Sequence, residues 1–307
     1  LYGKIQLNPL TYNFRLFANN IDLSVLNLFM KDKLKKIEGK ANINLIFNEK
    51  EAKGSLMFEK FGFTTVDGIF EFEDFDSKII FKEQKINIEK LTGLINNGKI
   101  NVSGFVTLPK IKESMDSFRD IDSNGLFISN YDYLKDVESN IDINFENIMY
   151  YYQHIVKLDF SGVLKLKNRD LTGKLDLNSG EIRGVPEFPE KSEEDTKGIF
   201  SLLNVDINFL IKKNLQIVLE KFSIIEDIEA NIEGGGRLKA KEGKISFIGT
   251  IFTEKGVVTV QTLNNNYFEI NRGTIVFDDP YQYFPDVNPS ITISASTEIA
   301  TENIYVD

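Results

Sequence analysis

Apolar and polar residues alternate along most of this chain, and a period of two predicts β-strands. From Gly243 to Thr297 five such runs follow one another: Lys244 to Phe252, Val257 to Thr262, Tyr267 to Ile270, Thr274 to Asp278, and Ser290 to Thr297. Gly, Asn, Asp or Pro bounds each of them. Ile245, Phe247 and Ile251 share one face, as do Val258 with Val260, Phe268 with Ile270, Ile275 with Phe277, and Ile291 with Ile293. Ser, Thr, Lys, Glu and Asn hold the other face. A sheet of this kind is half-buried and antiparallel, and its apolar side needs a cover. Ile248, Phe252 and Val276 fall on the wrong parity, which predicts a bulge or a packed neighbour at each.

Upstream the period changes once. Leu23, Leu26, Phe29, Met30 and Leu34 recur at helical spacing, so one short amphipathic helix is expected within residues 23–35. Strands follow at Ala41–Phe47, Ser55–Phe58, Val66–Phe72, Lys78–Phe81, Lys85–Leu91 and Lys99–Leu108, the last with Ile100, Val102 and Val106 on one face. Residues 109–124 break the pattern and read as a loop. A second unit starts near Tyr131, with Ile141, Ile143 and Phe145 on one face and Leu175 with Leu177 on another. Residues 186–197 are acidic and proline-bearing, a solvated loop. Past them Ile207 and Phe209, then Leu215, Ile217 and Leu219, resume the alternation, and Gly234-Gly235-Gly236 reads as a tight or bulged turn. The expected organisation is three stretches, 1–110, 111–200 and 201–307, joined in one elongated β-structure.

Composition narrows the function classes. A net charge of −10 without a clustered cationic face argues against nucleic acid. With no cysteine there is no disulfide and no thiolate chemistry. The most apolar long run, Gly198 to Ile211, is interrupted by Asp206 and is too short to span a bilayer. Leu1 in place of Met, and a strand-like end at Val306-Asp307, predict an excised fragment whose anchor or export signal lies outside it.

Candidate chemistry is thin. His154 is the single histidine, so neither a His-rich metal site nor a Ser-His-Asp triad is advertised. Asp278, Asp279 and Asp286 flank prolines in a tyrosine-rich loop; paired carboxylates suit glycoside cleavage or calcium, but this spacing reads as turn chemistry. The three glycines lead into Arg237-Leu238-Lys239-Ala240, a strand, where a phosphate loop requires a helix. A β-helical polysaccharide enzyme would need acidic residues stacked at a repeat of roughly 20–25 residues, which is not seen. No cofactor is implied.

The order of elements carries a resemblance. Gly243 with Gly249, Gly256 followed by Val257 to Val260, Phe268-Glu269-Ile270, Arg272-Gly273-Thr274-Ile275-Val276-Phe277 and Asn288-Pro289-Ser290-Ile291 together resemble the C-terminal region of the TamB (DUF490, AsmA-like) family. Asn20 to Leu45 and Gly180 to Pro186 resemble repeat-opening and closing phrases of the same group. The resemblance implies an all-β fold, a long and mostly antiparallel sheet curled into an open trough with an apolar lining. It further implies a non-enzymatic bridge across the periplasm, anchored in the inner membrane outside this fragment. Such a bridge carries phospholipid acyl chains and meets an outer-membrane barrel of the BamA/TamA type at its C-terminal end. On pattern alone, a closed β-sandwich or barrel is the better account of the apolar stripe, and it is the resemblance that favours the trough. The alternative function is a scaffold that pairs an exposed strand edge with outer-membrane β-barrel proteins such as autotransporters. The expected lining is Ile245, Phe247, Ile251, Val258, Val260, Phe268, Ile270, Ile275, Phe277, Ile291, Ile293, Ile207, Phe209, Leu215, Ile217, Leu219, Leu175, Leu177, Ile100, Val102 and Val106.

Overall fold

The structure, a computed structural model, describes residues 2–7, 10–30, 32–48, 52–107, 137–152, 155–184, 203–222, 225–241, 244–260, 266–283 and 288–297. The expected loops at 109–124 and 186–197, with His154, Pro285 and Asp286, lie outside the described residues.

Alternation at period two gives one sheet, whose strands neighbour each other in chain order from β1 to β15. These are β1 (Tyr2–Leu7), β2 (Leu10–Asp22), β3 (Leu34–Asn48), β4 (Ala52–Thr65), β5 (Glu71–Glu83), β6 (Lys85–Ile95), β7 (Gly98–Thr107) and β8 (Glu138–Tyr152). Then come β9 (Val156–Lys167), β10 (Asp170–Arg183), β11 (Asn204–Phe222), β12 (Ile225–Lys241), β13 (Lys244–Val260), β14 (Asn266–Phe277) and β15 (Ser290–Ser296). Every pairing is antiparallel except β10 with β11, which is parallel. The substantial contacts run between strands adjacent in the sheet, so the sheet is an open, curled trough and not the closed sandwich or barrel of the alternative reading. The stretch 111–136 does not divide it: β7 pairs with β8 from Lys99↔Glu146 to Thr107↔Glu138 without a register shift.

Curvature comes from bulges. Among the described ladders only β1/β2, β7/β8 and β13/β14 keep an unbroken register. Extra residues elsewhere bend each strand and increase its twist. Several of them adopt the left-handed conformation, among them Asn20, Lys36, Lys60, Asp74 and Asn147.

Glycine serves a second device. Phe75 lies over Gly93, Phe145 over Gly162 and Phe247 over Gly236; a Cβ built on these glycines would come 2.5, 2.6 and 2.7 Å from the ring. An aromatic ring laid on a neighbouring glycine covers exposed backbone and lets the sheet bend tightly.

These bulges correct the expected boundaries. Gly256 and Arg272-Gly273 were expected to end strands, but β13 and β14 run through them, and Gly234-Gly235-Gly236 lies inside β12 opposite Ile251, Thr250 and Gly249. A bulge and a turn both call for glycine, and only pairing separates them. Val66–Phe72 is not one strand: Thr65 to Phe70 forms a turn closed by Thr65 N–H to Phe70 C=O at 2.9 Å, and β5 starts at Glu71. The expected helix within 23–35 is shorter, a 3-10 turn Leu23–Leu26 followed by one α-helical turn, α1 (Asn27–Met30), with Leu34 already in β3.

Turn asparagines clip the strand ends together. Asn96 and Asn97 both have positive φ, as the β6–β7 hairpin requires. The buried Asn96 side chain accepts from Glu71 N and donates to Ile69 O and Met149 O, joining three strand ends. As a test of the ring-on-glycine device, Gly93→Val should lower stability by about 1–3 kcal/mol in denaturant unfolding, because its Cβ has no room against Phe75. Adding Phe75→Leu should recover part of that loss.

Candidate functional site

Cross-strand partners point to the same face, so the register identifies what the trough is lined with. One row passes from β2 to β13 through Ile21, Ala41, Phe58, Ser77, Leu91, Val102, Ile143, Leu164, Gly173, Ile207, Leu238 and Phe247. No charged residue stands in it. The next row contains Ile100, Phe145, Gly162, Leu175, Phe209, Gly236, Gly249 and Phe277. A third runs Phe160, Leu177, Ile211, Gly234, Ile251, Ile275 and Ile291.

All the expected lining residues fall on this face. Leu215 aligns with Ile232, Thr253 and Ile293's partner Gly273; Ile217 aligns with Ala230, Gly256 and Ile270; Leu219 aligns with Ile228, Val258 and Phe268. Val260 continues beyond Val258, Ile245 pairs with Ala240, and Val106 pairs with Ile86. The change from odd parity at Ile245, Phe247 and Ile251 to even parity at Val258 and Val260 is produced by a bulge at Glu254. There Thr253 Oγ1 donates to Lys255 O at 2.8 Å and accepts from Lys255 N. Ile248, Phe252 and Val276 are in regular register, half-buried on the outer face opposite Arg237, Glu233 and Thr250.

Three of the expected residues are exposed for a topological reason. Ile291 (60%) and Ile293 (59%) lie on β15, the last strand of the sheet, and Ile245 (41%) lies beyond the part of β13 that β14 covers. Elsewhere the lining is mostly half-buried, Leu91, Val102, Ile143, Leu164 and Leu238 included. Among the described residues no large side chain is fully buried. Ala41, Phe145, Ile207, Leu215 and Phe247 are buried, and the half-buried stretches between them leave apolar surface accessible.

Three hydroxyls on the face have backbone partners. Ser77 Oγ accepts from Phe58 N, and Ser139 Oγ donates to Asn168 O at 3.0 Å. With Thr253 also paired to its own bulge, these groups leave the lining effectively apolar.

Sequence reasoning missed the aromatic run on β4 and β5. Phe58, Phe61, Phe63, Phe72 and Phe75 form a chain of neighbouring rings, with Phe63 stacked on Phe72 at 4.3 Å. Bulges at Lys60 and Asp74 space these residues by three, which hides them from a period-two search. The repeated spacing of two phenylalanines three apart with two charged residues between them, in Phe58-Glu59-Lys60-Phe61 and Phe72-Glu73-Asp74-Phe75, is the signal that would have found them.

The outer face is polar, and its ion pairs are exposed. Arg237 makes a bidentate contact with Asp206 across β11 and β12. Asn178 donates to Ser161 Oγ and Asp159 Oδ1 and accepts from Lys212 Nζ, tying β9, β10 and β11 where their registers shift. The carboxylates singled out in the sequence are turn elements: Asp279 Oδ1 accepts from Tyr281 N at 2.8 Å, and Asp278 and Asp279 are exposed. Among the described residues no cluster of His, Cys, Asp or Glu is placed to hold a metal, and no helix is long and apolar enough to cross a membrane.

The hydrogen bond from Arg237 holds the Asp206 carboxyl below the ordinary carboxylate range. A carboxylate with a depressed folded pKa adds stability above its unfolded value, near 4, and loses it as pH falls through the folded value. Arg237→Gln should therefore flatten the acid limb of a stability–pH curve below about pH 4, and only slightly, because solvent screens the pair.

A family model described as the TamB C-terminal domain matches residues 89–306, more than half of the chain, from β6 to beyond β15. No curated protein and no solved structure matches it.

Proposed function

The chain belongs to the TamB C-terminal domain family, whose members serve outer-membrane assembly or lipid transport in the cell envelope, and from this we propose that its trough carries phospholipid acyl chains between the two membranes. The reading rests on one observation, the uncharged row from Ile21 to Phe247 that crosses strand after strand without a polar interruption left unpaired. An acyl chain gains about 0.8 kcal/mol for each CH₂ withdrawn from water, so the accessible apolar stretches of the face hold it. The headgroup stays at the open side of the trough, in water. No catalytic residue is needed, and the path itself sets no direction. In this proposal the whole protein is anchored in the inner membrane by residues outside this chain, and the C-terminal end meets an outer-membrane barrel of the BamA/TamA type.

A second reading has its own support. Among the described residues β15 ends the sheet, and all seven of its residues are exposed, an edge on which an incoming β-strand can add. In that case the chain is an assembly scaffold, and lipid on the inner face is incidental.

Photo-crosslinking in living cells separates the two. Photoreactive residues at Val102 and Ile251, on the inner face, are expected to capture phospholipid, while the outer-face neighbours Ser103 and Thr250 do not. A charge in the row, Val102→Asp, should abolish capture at Ile251 yet leave barrel binding intact. A proline within β15 should do the reverse. Absence of lipid at both inner positions in folded protein would leave the scaffold as the function.

A further inference from the structure

The segment from Leu23 to Met30, Leu-Ser-Val-Leu-Asn-Leu-Phe-Met, holds no charged residue in a chain of which 27% is charged. One of its sides is accounted for. Leu23, Leu26 and Met30 pack with Ile21, Ile37, Ala41, Phe58, Phe61 and Phe63, which belong to the inner face of β2, β3 and β4. Here the lining is covered: Ala41 is 0% and Ile37 2% exposed, whereas Leu91, Val102, Ile143 and Leu164 in the same row are half-buried.

The other side is exposed. Val25, Leu28 and Phe29 are 48%, 74% and 79% exposed. Because the segment sits on the inner face, these side chains are turned away from the sheet toward the open space of the trough. They are also held there. Asn27 mimics a strand partner, its Nδ2 donating to Ile37 O at 2.7 Å and its Oδ1 accepting from Ile37 N at 2.8 Å, and Asp22 Oδ1 caps the first turn by accepting from Ser24 N.

We infer that Val25, Leu28 and Phe29 form an acyl-chain contact that replaces the covered lining over β2–β4, so that lipid crosses this part of the trough on the helical segment instead of on the sheet. The inference rests on the acyl-path reading above. An acyl chain is the occupant whose chemistry fits: the surface is uncharged and joins the apolar face of the sheet through Leu23, Leu26 and Met30.

Phe17 supplies the control, since it is 61% exposed but lies on β2 between the inward residues Leu16 and Ala18. A photoreactive residue at Phe29 should yield phospholipid adducts and one at Phe17 none. Leu28→Asp combined with Phe29→Asp should reduce the phospholipid recovered with the purified chain about tenfold, the loss expected when exposed apolar contacts to an acyl chain are removed. The unfolding midpoint should not move, because neither side chain is buried. If Val102 and Ile251 capture lipid while Phe29 captures none, or only polypeptide, the inference is overturned and the acyl path stands. Loss of capture at all three positions removes both.

Discussion

Register is the constraint on which everything else depends. A sheet with one apolar face keeps that face continuous only if each strand meets its neighbour without slipping by a single residue, since one step exchanges the two faces. Fifteen strands in chain order offer fourteen interfaces at which this can go wrong. Bulged strands raise the stakes, because every inserted residue has to be compensated before the next inward side chain. Thr253 illustrates the solution: its hydroxyl closes the bulge on itself, so parity changes from Ile251 to Val258 while the face does not.

Much of this was legible in the sequence, and the remainder failed for a definable reason. Period-two alternation located the strands and assigned Ile207, Phe247, Ile270 and their companions to one face, because β-branched and aromatic residues at alternate positions have few other uses. Boundaries were harder. Gly256 and Gly234 to Gly236 carry the chemistry of turns but lie in mid-strand, where close approach of neighbouring strands excludes a Cβ. The aromatic run from Phe58 to Phe75 was lost because bulges at Lys60 and Asp74 break the count. Nor does a period of 3.6 over a few residues reveal that Leu23, Leu26 and Met30 pack on the trough floor; that depends on the Asn27–Ile37 bonds, which join residues ten apart.

The two faces divide the work of the fold. Outside, hydrogen bonds and ion pairs such as the Asn178 network follow the bulges and hold the bend, each of them weak and replaceable. Inside, rings laid on glycines remove the backbone from contact and leave a surface of uniform chemistry. Pairing is therefore set mainly by ladders and turn asparagines, and the polar work of the inner face is confined to a few hydroxyls such as Thr253 that bond the backbone beside them.

The parallel step from β10 to β11 has a consequence for reach. At about 4.8 Å per strand, fourteen interfaces extend roughly 67 Å, and the span of such a sheet is set by how many strands are stacked. In a pure meander the chain reverses at every step, so a returning terminus fixes whether the count is even or odd. One parallel pair removes that restriction, because two successive strands then run the same way. A sheet of this kind can thus be lengthened or shortened by a single strand, in steps of about 4.8 Å.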